Sequence, residues 1–429
     1  MSLPKLMKAG GGERGQYILH EHNDNTVRFV LYYPDLLDVD VFRRAVKALV
    51  ESVDVLHGTF FTDGVGAYWK LNEAVDESNY FLYVQTEGDP GITANSLALI
   101  PVYSEDKVQI HCTLVQGSGT SAVVVRMSHL VVDGGDGKYL LGKLAQAYNL
   151  IARTGSPEGL QVKHGSRAPE KVYDTISKKD MKKLKSSLPS STDIRSVYPY
   201  PTEEPGRERL ILTKISAETM EHAHKKAKEA GASVNDLLMA ACYHACASLD
   251  GVDAHAPMCI NSTMDLRRHC RNGESEGLCN MSGSFMTVLE KGCTGSFADT
   301  LAKVAEQSTK VKGDPLAGLE GMPIVHSLAR KVPMGLLIQI MDRVYGSAPV
   351  GITNLGNLKC ADYAMDGLIP SGGLFGGPLK KKPGMQISAA SFDGECVLAV
   401  AVQCTQQDAQ MLQGTLDAMK SEIEEYAQF

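Results

Sequence analysis

Apolar residues in this chain fall into two kinds of run. Short blocks rich in β-branched and aromatic residues have the make-up of buried strands. Longer segments repeat their apolar positions at helical spacing. Residues 27–33 read as a strand stopped by Pro34. Asp38 then caps an expected helix to about Ser52, with Phe42, Val46, Leu49, Val50 and Val53 in one stripe. Residues 56–61 and 67–71 form an expected strand pair around Asp63-Gly64. Strands over 97–103, 107–115 and 121–128 follow, and a helix after the Asp133 turn ends near Arg153, before Gly155 and Pro157. Residues 1–15, with three consecutive glycines and no periodicity, read as loose.

From Ser156 to about Arg207 the chain is polar and rich in Lys, Ser and Pro, as a crossover would be. Its lysines at 178, 179, 182, 183 and 185 read as a solvated helix face. A strand over 208–215 opens the second half, followed by helices over 217–230 and 237–248. Ser233 with Asp236 is a capping-box start for the second of these. Strands are expected over 257–263, 280–289 and 350–354, and residues 334–344 are apolar enough to be buried. Residues 384–392 and 396–403 pair across Asp393-Gly394, a hairpin turn signal. The last helix runs from Thr405 towards Tyr426 with Leu412, Leu416, Met419 and Ile423 facing in. Strands mixed with amphipathic helices in both halves predict an α/β sandwich in each: residues 1–155, a linker over 156–206, and residues 207–429.

Composition narrows the function classes. A net charge of −7 argues against a nucleic-acid-binding surface. The longest apolar run, 237–249, is too short to span a bilayer, and the N-terminus carries no apolar signal core. Ten scattered cysteines without a Cys-x-x-Cys pair suit reduced thiols, so a cytoplasmic location is expected. Cys242 and Cys246 read as one packed helix face, and neither His20 with His22 nor His222 with His224 has the further ligands that zinc needs. No metal is expected.

Candidate chemistry gathers where the strand 121–128 stops. It delivers His129, then Asp133 in a turn with Gly134, Gly135 and Gly137, then a helix carrying Tyr139, Leu140, Leu144 and Tyr148. Strand ends are where ligands and reacting groups collect. A bare His-x-x-x-Asp arises about once by chance in a chain this long. The strand before it and the Asp-Gly after it make this one specific. A neutral imidazole is also suited to take or give a proton near pH 7. No Gly-x-Ser-x-Gly, phosphate-binding glycine loop or dinucleotide fingerprint is present.

In this setting the motif resembles the His-x-x-x-Asp-Gly signature of the superfamily that includes chloramphenicol acetyltransferase, condensation domains of nonribosomal peptide synthetases, alcohol acyltransferases and plant BAHD acyltransferases. Condensation domains usually carry a second histidine where Ser128 stands, so the site looks more like that of standalone O- and N-acyltransferases. The segment ASVNDLLMAA is similar to a helix start common in the superfamily, and MDLRR to its Val-Asp-x-Arg motif. ITNLGNL resembles a channel-closing segment, and His57 departs from an arginine found in many members.

The resemblance implies two chloramphenicol acetyltransferase-like halves with an active-site tunnel between them. It implies His129 as general base and an Asp133 that turns away from it to pair with Arg267, with Arg268 the fallback, in place of a His-Asp dyad. Asp265 belongs to the same motif. Gly134 would leave room for backbone and substrate, or serve the turn alone. Thr353 or Asn354 would donate to the oxyanion or line the channel, or only end a strand. Lys380, Lys381 and Lys382 form a solvated turn, or a loop for CoA phosphates or the acidic face of a carrier protein. The expected activity is acyl transfer from a phosphopantetheine thioester, foremost acyl-CoA as co-substrate, to a hydroxyl or amine, with no other cofactor. The rivals are a condensation-type enzyme fed by a carrier protein and a catalytically silent module that binds a carrier or partner protein.

Overall fold

The computed structural model describes residues 6–64, 66–186, 197–345 and 349–428. The apolar run before His129 becomes the strand Thr120–Ser128, the middle of a five-stranded sheet. The order is Gly372–Gly376, Thr26–Tyr33, Thr120–Ser128, Ile110–Gly117, Phe81–Gln85. The middle strand is buried along nearly its whole length, so it has no polar face and no alternation. Helices Val39–Glu51 and Gly134–Thr154 share its core through Phe42, Val46, Leu49, Leu140 and Leu144. Antiparallel pairing runs from Thr26 opposite Ser128 to Tyr33 opposite Ser121, which brings residues 22–25 beside His129.

A second sheet carries the other half. Its order is Ser282–Leu289, Met258–Asp265, Gly351–Leu358, Gln386–Phe392, Glu395–Cys404, Lys380–Lys381, and Arg207–Ile215 also pairs with Glu395–Cys404. The strand Gly351–Leu358 is parallel to both neighbours. Helices Ala217–Glu229, Val234–Ala247, Phe297–Gly313 and Gln406–Gln428 join this sheet in a second core. No described helix is long and apolar enough to cross a membrane.

Several segments differ from the sequence reading. Residues 97–103 were expected to be a strand, but the helix Pro90–Leu97 ends at their start and residues 98–103 form a turn and irregular chain, with Ile100 and Tyr103 exposed. Asp89 caps it through the Gly91 amide, and Pro90 at the first turn fits a helix and not a ladder. Leu6–Lys8 is a strand on a small sheet with Gly58–Asp63 and Gly66–Leu71, and Gly11–Tyr17 is a helix. Their anchor is Glu13, whose carboxylate takes the Trp69 indole N–H at 2.9 Å and the Arg167 guanidinium. Residues 334–344 were expected to be buried. The helix Met334–Tyr345 is amphipathic: Met334 and Leu337 pack near Ile18, while Leu336 and Ile340 are 49% and 48% exposed.

The glycine-rich strand Gly372–Gly376 follows the second sheet's strand in sequence and yet completes the first sheet, against Thr26–Tyr33. A Cβ on Gly373 would lie 2.7 Å from the Val30 carbonyl oxygen and 2.5 Å from the Phe392 ring, so only glycine allows this approach. In the crossover, the helix Lys178–Ser186 buries Leu184 and leaves its lysines exposed. Residues 187–196 of the crossover lie outside the described residues.

Candidate active site

His129 follows the last residue of the central strand, and its amide donates to the Asn25 carbonyl at 2.7 Å. Its Nδ1 lies 2.7 Å from the Val132 carbonyl. The Asn280 amide nitrogen also lies 3.2 Å from Nδ1, but the Val132 carbonyl is the closer partner and can only accept, so Nδ1 carries the proton and Nε2 keeps the lone pair. Burial lowers the pKa of the ring, and the Lys380 ammonium lowers it further, against the pull of the Val132 carbonyl and Asp133. The imidazole is therefore neutral near pH 7, with a basic nitrogen held in one orientation.

Asp133 is turned away from this ring. It caps the helix Gly134–Thr154 by accepting the Asp136 amide at 2.9 Å. Arg267 donates to both its oxygens, at 2.8 and 3.0 Å, and the Met281 amide adds a bond at 2.8 Å. Burial alone would push the Asp133 carboxyl up. The Arg267 charge and these hydrogen bonds outweigh it and hold the group below the usual carboxylate range. Arg267 also reaches Asp136 at 3.0 Å, Asp265 at 3.2 Å and the Cys279 carbonyl at 3.2 Å. Arg268 instead donates to the Lys312 carbonyl at the surface. The bidentate pair thus ties the turn after His129 in one half to the second sheet of the other.

Gly134 lies under the second half. A Cβ there would be 3.0 Å from Leu355 Cδ1 and 3.4 Å from Phe375, so its bareness admits those side chains. Thr353 accepts a hydrogen bond from the Thr263 hydroxyl at 2.8 Å and so keeps its own proton to donate. Asn354 spends its carbonyl on the Gly356 amide at 2.9 Å. The three lysines separate. Lys382 is ion-paired to Asp408 at 2.8 Å and donates to the Thr202 carbonyl at 2.6 Å. Lys381 is exposed, and Lys380 is partly buried.

Other groups around the ring have no motif to announce them. Asn280 donates to the His129 carbonyl at 3.3 Å and to Gln16 Oε1 at 3.3 Å. Gln16 in turn donates to Asn25 at 2.6 Å. Asp136 accepts the Cys279 amide at 2.7 Å and pairs with Lys163 of the crossover. Its place three residues after the Asp133 cap was a readable signal for a polar first turn. Behind the turn, Lys138, Tyr139, Lys143, Asn357 and Lys359 line a hollow of about 530 Å³. Among the described residues no group of three His, Cys, Asp or Glu side chains could hold a metal ion, and all ten cysteines are free.

No family model matches the chain, and no curated protein matches it. Solved structures do. Polyketide synthase associated protein 5 from Mycobacterium tuberculosis is 14% identical with a TM-score of 0.67, and 100% of each chain is covered. Trichothecene 15-O-acetyltransferase from Fusarium sporotrichioides is 13% identical with a TM-score of 0.70, covering 97% of this chain and 95% of that one. The first condensation domain of the CDA synthetase is 14% identical with a TM-score of 0.68, over 98% and 96%. At these identities the likeness speaks for the fold. The chain accordingly has the fold that condensation domains and this acetyltransferase share, two α/β halves with His129 where they meet.

Proposed function

We propose that this protein transfers an acyl group from a phosphopantetheine thioester, foremost acyl-CoA, to a hydroxyl or amine. One observation carries the reading: a neutral His129 whose Nδ1–H is fixed on Val132, leaving Nε2 as a base. The acceptor gives its proton to Nε2 as its oxygen or nitrogen attacks the thioester carbonyl. The tetrahedral oxyanion then expels the thiolate, which takes the proton back from the imidazolium. Both steps balance without a covalent enzyme intermediate. The Thr353 hydroxyl, already oriented by Thr263, is our candidate donor to the oxyanion. Asp133 and Arg267 hold the turn and take no proton.

For the donor, the exposed Lys381 and the hollow with Lys138, Lys143 and Lys359 are the cationic surfaces suited to the phosphates of CoA. Lys382 is committed to Asp408. Ser128 before His129 favours the standalone reading over a carrier-fed condensation enzyme. The ten free thiols fit a cytoplasmic setting.

The test is His129→Ala. We expect an unchanged melting temperature and a rate lower by about a hundred- to ten-thousand-fold, since that is the worth of a positioned base. A variant that keeps near-normal transfer to a genuine acceptor removes His129 from the mechanism. One acyl group presented on CoA and on a carrier protein separates the donors. Transfer from the carrier alone would replace acyl-CoA with the condensation-type reading, and transfer from neither would favour a silent binding module.

A further inference from the structure

We propose that Lys380 anchors an anionic group of the substrate, a carboxylate borne by the acyl chain or by the acceptor, beside the carbonyl on which His129 acts. The inference rests on acyl transfer at His129 and names the class of substrate that site takes.

The observation is a cation and a base held on one short strap. Residues 22–25 run between them. The Asn25 carbonyl takes the His129 amide at 2.7 Å, and Asn23 bridges to Lys380. On the same side the Lys381 amide donates to the His22 carbonyl at 2.9 Å, and the Asp24 amide to the Leu379 carbonyl at 3.1 Å. Lys380 is thereby placed within electrostatic reach of the imidazole, whose protonation it opposes.

The ammonium has no counterion of its own. Among the described residues no carboxylate lies within ion-pairing distance of it. Asp24 is the acid that most favours its charge, and Asp24 is engaged elsewhere. Its Oδ1 takes the amides of Thr26 at 3.1 Å and Leu379 at 2.8 Å, and its Oδ2 takes the Arg28 guanidinium. Burial consequently brings the Lys380 pKa down to about 8, which still leaves the amine mostly charged at pH 7. Lys382, two residues on, shows what a satisfied lysine looks like here, closed by Asp408 and Thr202.

A partly buried, unpaired ammonium is costly. During transfer the cost rises, because the imidazole becomes a second cation nearby. An anion placed with the substrate relieves both charges. The phosphates of CoA sit at the far end of the pantetheine arm, so the anion must come from the acyl chain or the acceptor.

Two matched pairs of probes separate these sources. Succinyl-CoA and butyryl-CoA differ by a carboxylate in place of a methyl, and their binding to the full chain is measured by calorimetry. 3-Hydroxybutyrate and its methyl ester form the acceptor pair, followed by ligand-observed NMR. We expect the carboxylate member of one pair to bind about ten- to a hundredfold more tightly, the worth of a charged hydrogen bond. A preference in the first pair places the anion on the acyl chain, and in the second on the acceptor. Lys380→Met should erase the preference and Lys380→Arg should retain it, in variants that melt as the wild type does. Equal binding within both pairs, or a preference that survives in a folded Lys380→Met, overturns the proposal. So does a Lys380→Met that slows neutral and anionic substrates alike with no binding preference, which would assign the ammonium to the oxyanion. Binding needs no turnover, so this result stands apart from that of His129→Ala.

Discussion

His129 is set by opposing influences, and they predict its pH behaviour. Burial and the Lys380 charge both favour the neutral ring, and together they outweigh Val132 and Asp133. The folded pKa therefore lies below the ordinary value of about 6.5. The proposed base works only as the neutral ring, so activity should persist as pH falls through 6.5 and decline only below it. The acid limb of kcat/KM against pH checks this, and a limb at or above about 6.5 would contradict a desolvated base. The same shift has a stability consequence of definite sign. The unfolded histidine binds a proton that the folded one resists, so this group costs stability as pH drops below the unfolded pKa. Much of this was legible beforehand, because a strand end followed by Asp-Gly and a helix is a placement as well as a spacing. Asn280 was not. It lies 151 residues from His129 and meets it through folding alone, and an asparagine before a strand carries no signal.

At the scale of elements, the turn after His129 is a clamp between the helix Gly134–Thr154 and the segment after the strand Met258–Asp265. Arg267 is shared by Asp133 and Asp136, and that sharing ranks two substitutions. Asp133→Asn can keep the helix cap and leaves Arg267 with Asp136, but it turns its amide nitrogen onto the Met281 amide and the Arg267 guanidinium, so its loss should be about 2–3 kcal/mol. Arg267→Met leaves two buried carboxylates without their main cation, a loss of about 3–5 kcal/mol. Denaturant unfolding of both variants measures the order. If Asp133→Asn proved the more damaging, the clamp would not be the role of the pair. Strands and helices with a clear period were readable from the chain, as Phe42, Val46 and Leu49 on one helix face illustrate. The failures have physical reasons. In residues 97–103 Ala98 and Val102 are buried but Ile100 and Tyr103 stay at the surface and Pro101 has no N–H for a ladder, and the helix Gly11–Tyr17 holds through Glu13 contacts with Trp69 and Arg167, far off in sequence.

For the whole molecule, the two halves are joined by more than their crossover. Lys163 reaches back to Asp136, Arg167 to Glu13, and the strand Gly372–Gly376 leaves the second half to complete the first sheet. No hydrophobic period could disclose that strand, since glycines hold three of its five positions. Its Phe375 packs on Phe29 with ring centroids 5.2 Å apart, under the turn that carries Gly134. The exchange therefore couples the stability of the first sheet to the geometry around His129. Gly373→Val tests the coupling. Its Cβ would meet the Val30 carbonyl at 2.7 Å and the Phe392 ring at 2.5 Å, and both belong to packed strands that cannot retreat far. The strand should leave the sheet edge, exposing the backbone of Thr26–Tyr33 and withdrawing Phe375 from beside Gly134. Calorimetry should then show one transition for the wild type and, for the variant, that transition lowered or split in two, as the halves lose their shared strand. Activity should fall even below that first transition, because the strap at residues 22–25 leads directly into the strand that was unpaired. A Gly373→Val protein with an unchanged melting profile and normal turnover would mean that the exchanged strand is an ornament of the sheet edge and not a coupling between the halves.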